Sequence, residues 1–513
     1  MTEPVNDAVD VLIIGSGPVG STWARTLGEA DPQLSILMVE VGPPTHGEGI
    51  PGPRGNHTRN LDPHHRHAVE LLTQGPDRGI VRADALDDIA PGLDPSLEFR
   101  LTILPGLFFL DPRPERADDE VGLPAASMAS GVGGMGIHWG TSCPRPHQSE
   151  RISFIPAEEL DEALDAAEQL LQVTTPPVPG HGLAEAVRTA MAEVFDGPGL
   201  APAQFMPTAT HWEQVEGQPD RLVFSGAGTI LGDLESHVPG FQLLTETLAK
   251  RVIIENGRAV GALLEDRRTG ATREVRAGRV IVCADGLRTP QVLFASGVRP
   301  PMLGRTLNEH FQVNTFVQLS DEFDPDHFEH GPRDIVQPIV PFSDDRPMQG
   351  GAILLANSAF ADADDQHEHS KFALLAWYGA KDLREQDAVE FSEEETDFYG
   401  MPRMRIRYGH SEVDRQTLAE MKANSVRMGE RIGTITMQPT EAAGGSSLHY
   451  QGTVRMGETD DGTSVCDPWL RVWGVEGLYV GGNGVIPTST ACNPTLTSVA
   501  LAWRAARRLA QEL

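Results

Sequence analysis

The chain has 513 residues, 41 of them Lys or Arg and 73 Asp or Glu, for a formal net charge of −32. So acidic a surface repels phosphate backbones and anionic lipid, which argues against a nucleic-acid partner. No apolar run approaches the roughly 18 residues of a membrane span, and the cysteines Cys143, Cys283, Cys466 and Cys492 form no Cys-x-x-Cys pair that would announce a disulfide framework or a zinc site. The length asks for two domains. The opening residues Met1-Thr2-Glu3-Pro4 lack the basic and apolar regions of a secretory signal, so a cytoplasmic protein with no membrane segment is expected.

From Val9 the chain runs as an apolar strand that opens directly into Gly15, Gly17 and Gly20, and Ser21 to Ala30 continues as a helix. Such a turn lets a pyrophosphate sit against backbone N–H groups and the positive end of the helix. A second apolar run, Leu34 to Val39, ends at Glu40, where an acidic side chain would accept a ribose hydroxyl. The order strand, turn, helix, strand, acid points to a dinucleotide. An ordinary glycine-rich strand-to-helix turn is the plainer alternative.

Residues 42 to 100 carry Pro, Gly, His and Asp with little periodicity and are expected as long loops or a lid. His64, His65 and His67 fall here, with His327 and His330, then His367 and His369, further on; adjacent histidines without a second ligand pair are expected as solvated surface, and no metal is assigned. Residues 157 to 172 and 182 to 196 have helical amphipathic spacing. Short strands follow at Phe241–Ile254, Ala259–Glu265 and Thr272–Cys283, around turns at Asn256-Gly257 and Thr269-Gly270. The last strand ends at Ala284-Asp285-Gly286 and gives way to a helix, Leu287 to Ser296, so it is expected to return to the first sheet. Residues 311 to 440, with many prolines and acidic clusters, are taken as mainly a second domain.

The segment from His449 to Leu501 places an imidazole at His449 and a neutral amide at Asn493 on separate turns, each flanked by glycine or proline. A histidine is the ordinary proton acceptor near neutral pH, so removal of a proton from a small molecule is the chemistry these turns suggest. A hydrogen-bonded structural histidine and an asparagine that caps a turn or helix are the alternatives.

The block Ser130-Gly131-Val132-Gly133-Gly134-Met135-Gly136-Ile137-His138-Trp139-Gly140, the stretch Ala284 to Gly297, the segment Gly304 to His310 and the C-terminal block, together with the N-terminal glycines, resemble the glucose-methanol-choline (GMC) oxidoreductases in order and spacing over nearly the whole chain. Within that family the His138-Trp139 and Asn493-Pro494-Thr495 blocks look most like pyranose 2-oxidases and bacterial glycoside 3-oxidases. The resemblance implies an α/β fold with a Rossmann-like FAD-binding domain drawn from 1–45, 120–150, 222–310 and 446–513. A lid or loop region at 46–119 and an α+β substrate-binding domain with an antiparallel sheet, from 151–221 and 311–445, complete it.

It further implies FAD as cofactor, His449 as general base and Asn493 as its partner on the reacting hydroxyl. Gly15, Gly17, Gly20, Glu40, Gly133, Gly134, Ala284, Gly482 and Asn483 would approach the cofactor. Val252 would offer backbone contacts to adenine, and Pro494 and Thr495 would start a helix facing the flavin. His138 matches a histidine that bonds covalently to the flavin in pyranose 2-oxidases, so a covalent link and simple packing beside the ring both stand. Gly140 takes the place of a threonine, and Val454 that of a second histidine, in the fungal pattern. The implied reaction is oxidation of a secondary alcohol of a sugar or glycoside, at C2 or C3, with oxygen or a quinone-type compound as electron acceptor. A non-sugar alcohol oxidase and a flavin-containing hydroxynitrile-lyase-like enzyme are the alternatives.

Overall fold

The computed structural model describes residues 7–47, 49–73, 121–175, 182–214, 221–328, 336–354 and 371–513. Two sheets organise it. In the first, the strands Phe241–Leu244, Ile36–Val39, Ala8–Ile14 and Thr272–Val282 lie parallel in that order, and Leu478–Val480 pairs parallel with Thr272–Val282. Arg258–Asp266 and Thr247–Glu255 extend the sheet antiparallel. Val11 to Ile14 and Ile36 to Val39 are buried as unbroken apolar runs rather than alternating ones, as a parallel sheet covered on both faces requires.

The helix Pro18–Ala30 packs on this sheet and against the helix Thr495–Ala510. The helix Ala157–Leu171, grouped above with the second domain, also belongs to the first core. Its stripe of Leu160, Ala163, Leu164, Ala167 and Leu171 repeats every three or four residues and meets the apolar face of Thr495–Ala510. Arg504, nearly buried and stacked 3.6 Å from the Trp469 ring centroid, bonds Glu159 across the same contact.

The second sheet is antiparallel, in the order Gly433–Glu441, Phe311–Leu319, Phe372–Gly379, Met348–Leu354, Pro338–Val340 and Gln204–Phe205. Alternation decides its two faces. Val313, Met348 and Trp377 enter a core shared with the helices Gly182–Phe195 and Glu412–Ile432. Gln312, Tyr378 and Gln349 are direct cross-strand partners, so they share the opposite face.

The expected loop after Glu40 contains a helix, Pro63–Thr73. The lid residues 74–119 and His330, His367 and His369 lie outside the described residues. Among those described, no helix is long and apolar enough to cross a membrane, and no group of three or more His, Cys, Asp or Glu is placed to hold a metal ion.

Candidate active site

The strand Ala8–Ile14 ends at Gly15, whose φ of +106° is open to glycine at little cost. A Cβ there would lie 2.3 Å from the Cys283 carbonyl oxygen, and one at Gly20 would lie 2.1 Å from the Gly15 carbonyl oxygen. The turn is therefore pressed against its neighbouring strand and its own helix. Gly17 is the N-cap of the helix Pro18–Ala30, leaving the positive end of that helix at the turn. Ser16 Oγ donates to Glu40 Oε2 at 2.7 Å and accepts the Gly133 N–H at 3.0 Å, while the Gly42 N–H donates to Glu40 Oε1 at 3.0 Å. Burial raises the Glu40 carboxyl, and these donors work against the rise.

In front of this turn lies a cleft of about 1230 Å³, counting the open solvent at its mouth. Gly15, Gly17, Glu40 and Gly134 form one end of its wall; Ala284, Gly482, Asn483 and Thr495 also line it. Gly482 has φ of +100°, and a Cβ there would meet no atom within 4 Å and would stand in open space. Asn483 Oδ1 accepts from Ser498 Oγ at 2.6 Å. Gly20 and Gly133 stand behind the wall, supporting it. Pro494, the N-cap of the helix Thr495–Ala510, sits just outside.

Two further residues expected at the cofactor are not among those lining the cleft. The Val252 N–H donates to Ser296 Oγ at 2.8 Å, and its strand reaches the cleft through Thr247, Leu248 and Ala249 instead. His138 turns onto the helix Pro63–Thr73, its Nε2 sharing a 2.9 Å hydrogen bond with Thr73 Oγ1, and it is absent from the cleft wall, which takes Trp139. Burial pushes the His138 imidazole down to about 3.

His449 and Asn493 meet. Asn493 Nδ2 lies 3.3 Å from His449 Nε2, and Asn493 Oδ1 accepts from Gln349 Nε2 at 3.1 Å. Gln349 thereby sets the Asn493 amide with its NH₂ toward the histidine. Leu448, just before His449, has a left-handed φ of 60°. That turn is held by Glu309, which accepts the Ser447 hydroxyl at 2.7 Å and the His449 N–H at 2.9 Å. Burial raises the Glu309 carboxyl to about 8.

His449 Nδ1 is 3.0 Å from His310 Nδ1. His310 Nε2 reaches Gln451 at 3.0 Å and Thr490 Oγ1 at 3.3 Å. Two proton arrangements satisfy the His449–His310–Gln451 contacts taken alone. If the Gln451 NH₂ donates to His310 Nε2, then His310 Nδ1–H donates to His449 Nδ1 and the His449 proton sits on Nε2. If instead the Gln451 amide presents its oxygen, an assignment open at any amide, His310 donates outward and His449 donates through Nδ1. Its Nε2 lone pair then accepts the Asn493 NH₂, whereas the first arrangement sets Nε2–H against that NH₂, so the second fits the site better. Burial pushes the His449 imidazole down to about 3, so the ring is neutral at physiological pH.

Motif spacing points to His449, Asn493 and the glycine turn, but assigns no role to Glu309, Gln349 or Tyr378, whose ring lies 5.9 Å from that of His449. Glu150, buried in a loop far from the C-terminal block, accepts the N–H groups of Ala491 and Cys492. No sequence signal marks it.

The GMC oxidoreductase family matches this chain over residues 125–312 and 388–502. A C-glycoside 3-oxidase of Microbacterium trichothecenolyticum is 44% identical over 98% of this chain and 97% of its own length, and one of Arthrobacter globiformis is 42% identical over 99% and 96%. A pyranose 2-oxidase of Tricholoma matsutake is 28% identical over 98% and 94%. Among solved structures, a formate oxidase of Aspergillus oryzae shares the fold with a TM-score of 0.67, covering 99% of both chains at 14% identity. A pyridoxine 4-oxidase aligns with a TM-score of 0.60 at 15% identity, over 98% of this chain and 99% of its own.

Proposed function

The chain belongs to the GMC oxidoreductase family, and from that premise we propose that it is an FAD-dependent oxidase or dehydrogenase that converts a secondary ring alcohol of a glycoside, at C3, to the ketone. The observation that carries this is the His449–Asn493 contact, made on the neutral imidazole and beneath a polar sheet face. The similarity to C-glycoside 3-oxidases over almost the full length favours a glycoside and C3 over C2.

The cleft suits FAD by its own chemistry. It offers a helix N-terminus behind a glycine turn for the pyrophosphate, a buried carboxylate at Glu40 for a ribose, and open space at Gly482 where a side chain would intrude. When bound, the flavin supplies a hydride acceptor at N5. The protein's task is the proton. His449 Nε2 takes the hydroxyl proton while Nδ1–H is held by His310. The Asn493 NH₂, fixed by Gln349, donates to the same oxygen as negative charge builds on it. The row Gln312, Tyr378 and Gln349 offers hydrogen-bonding groups and a ring face to orient the sugar.

FAD is held without a bond to His138, whose Nε2 is engaged by Thr73. Acid precipitation of the purified enzyme should leave the yellow colour in the supernatant; a yellow pellet would refute this. Oxygen or a quinone-type compound would serve as the electron acceptor.

The central test is anaerobic reduction of the FAD-loaded protein by a panel of free sugars and O- and C-glycosides, with the position of the product ketone determined. Bleaching by glycosides and a 3-keto product are expected, and His449→Ala should slow bleaching by about 10²–10⁴-fold. A flavin that no glycoside bleaches would overturn the proposal.

A further inference from the structure

The turn that carries Asn493 is gripped from behind. The N–H groups of Ala491 and Cys492 both donate to Glu150 Oε1, at 2.7 and 3.0 Å, and the His147 N–H donates to Oε2 at 2.8 Å. Thr488 Oγ1, at the other end of the turn, donates to the Glu150 carbonyl oxygen at 2.8 Å. Glu150 is 1% exposed. Its own loop is tied to the second sheet's loops, with the Asp344 N–H on Gln148 Oε1 at 2.6 Å and the Ser149 N–H on Asp344 Oδ1 at 3.2 Å.

We propose that Glu150 is a positioning residue for the reaction: its carboxylate fixes the backbone of the Asn493 turn, as Gln349 fixes the Asn493 amide, and so sets the reach of that amide to the reacting oxygen. The inference rests on the role proposed for Asn493. A buried carboxyl is costly, and three converging N–H donors are what make one tolerable here. Burial raises the Glu150 carboxyl to about 7, and above that pH the ionised carboxylate meets all three donors with lone pairs, whereas a glutamine must turn its NH₂ toward either His147 or the Ala491–Cys492 pair and set donor against donor. The consequence is a displaced turn rather than a lost fold. Placement matters at this point because a misplacement of about 1 Å costs on the order of a hundredfold in rate.

Single-turnover anaerobic flavin reduction by a glycoside decides the matter, read on FAD-loaded wild type, Glu150→Gln, Asn493→Ala and the double variant. Glu150→Gln is expected to lower the limiting rate about tenfold, below that hundredfold bound, with half-saturating substrate within about twofold of wild type and FAD content unchanged. Asn493→Ala should lose more, roughly 10²-fold as for one oxyanion donor, and the double variant should be no slower than Asn493→Ala. An unchanged limiting rate in Glu150→Gln, or losses that multiply in the double variant, would overturn the inference. An unaltered rate in Asn493→Ala would instead remove the role of Asn493 itself. Should Glu150→Gln fail to retain FAD, Glu150→Asp, which keeps the charge and shortens the reach, carries the same comparison.

Discussion

His449 is a weak base at rest and a well-placed one. Its neutrality comes from burial, and its direction from Glu309 behind it and His310 beside it. Glu309 has a measurable signature. Its folded pKa, about 8, lies above the ordinary 4.5, so the folded state holds a proton that the unfolded chain releases earlier. That contribution to stability is complete below about 4.5, declines as pH rises toward 8 and changes no further above it. Glu309→Gln should remove this slope: the difference in thermal midpoint between wild type and variant will drift against the wild type from pH 5 to 8 and then level. A difference that stays constant across this range would refute the assignment. At this scale the chemistry was largely legible in the sequence, because His449, Asn493 and the glycine turn sit in short contiguous motifs. Glu309 was visible only as part of a string, and Glu150 not at all, since their partners, backbone N–H groups and for Glu309 also the Ser447 hydroxyl, are brought to them only by the fold.

The elements explain what motifs could not. Gln312, Tyr378 and Gln349 come from three strands and become neighbours only through cross-strand register; a slip of one residue would send all three into the helix-covered core. The sequence marks this region as a second domain with an antiparallel sheet, without placing its strands or their pairing. Gln349→Leu should leave FAD binding intact but free the Asn493 amide, lowering kcat/KM on a glycoside by about tenfold, the value of roughly one hydrogen bond to a charge-bearing oxygen. An unchanged kcat/KM would show that the amide is oriented by something else. The helix Pro63–Thr73 escaped notice because its run of histidines breaks the apolar period. The position of Ala157–Leu171 escaped because amphipathic spacing reveals a buried stripe without naming its partner. Leu164, wholly buried in that stripe, should cost about 2–5 kcal/mol on Leu164→Ala by chemical denaturation.

At the scale of the molecule, one buried ion pair cluster joins parts distant in sequence. Lys381 is fully buried, with its Nζ 2.9 Å from Asp387 and 2.8 Å from Asp414, the latter in the first turn of the helix Glu412–Ile432. Ser489, on the way to Asn493, donates to the Lys381 carbonyl. Lys381→Met would take the cation from buried Asp414, while Asp387 keeps Arg384, and should destabilise the protein by about 3–5 kcal/mol; a loss under about 1 kcal/mol in denaturant titration would contradict this account. The cleft has the same dispersed origin. One wall comes from Ile14 to Val41 and another from Gly482 to Ser498, and the strand Leu478–Val480 that delivers the second wall pairs with Thr272–Val282 beside the first strand of the chain. On the ribosome, the glycine turn emerges early and waits through most of translation for its counterpart. A nascent chain arrested before Gly482 lacks the residues of the cleft's second wall, so the complete site can form only after they emerge.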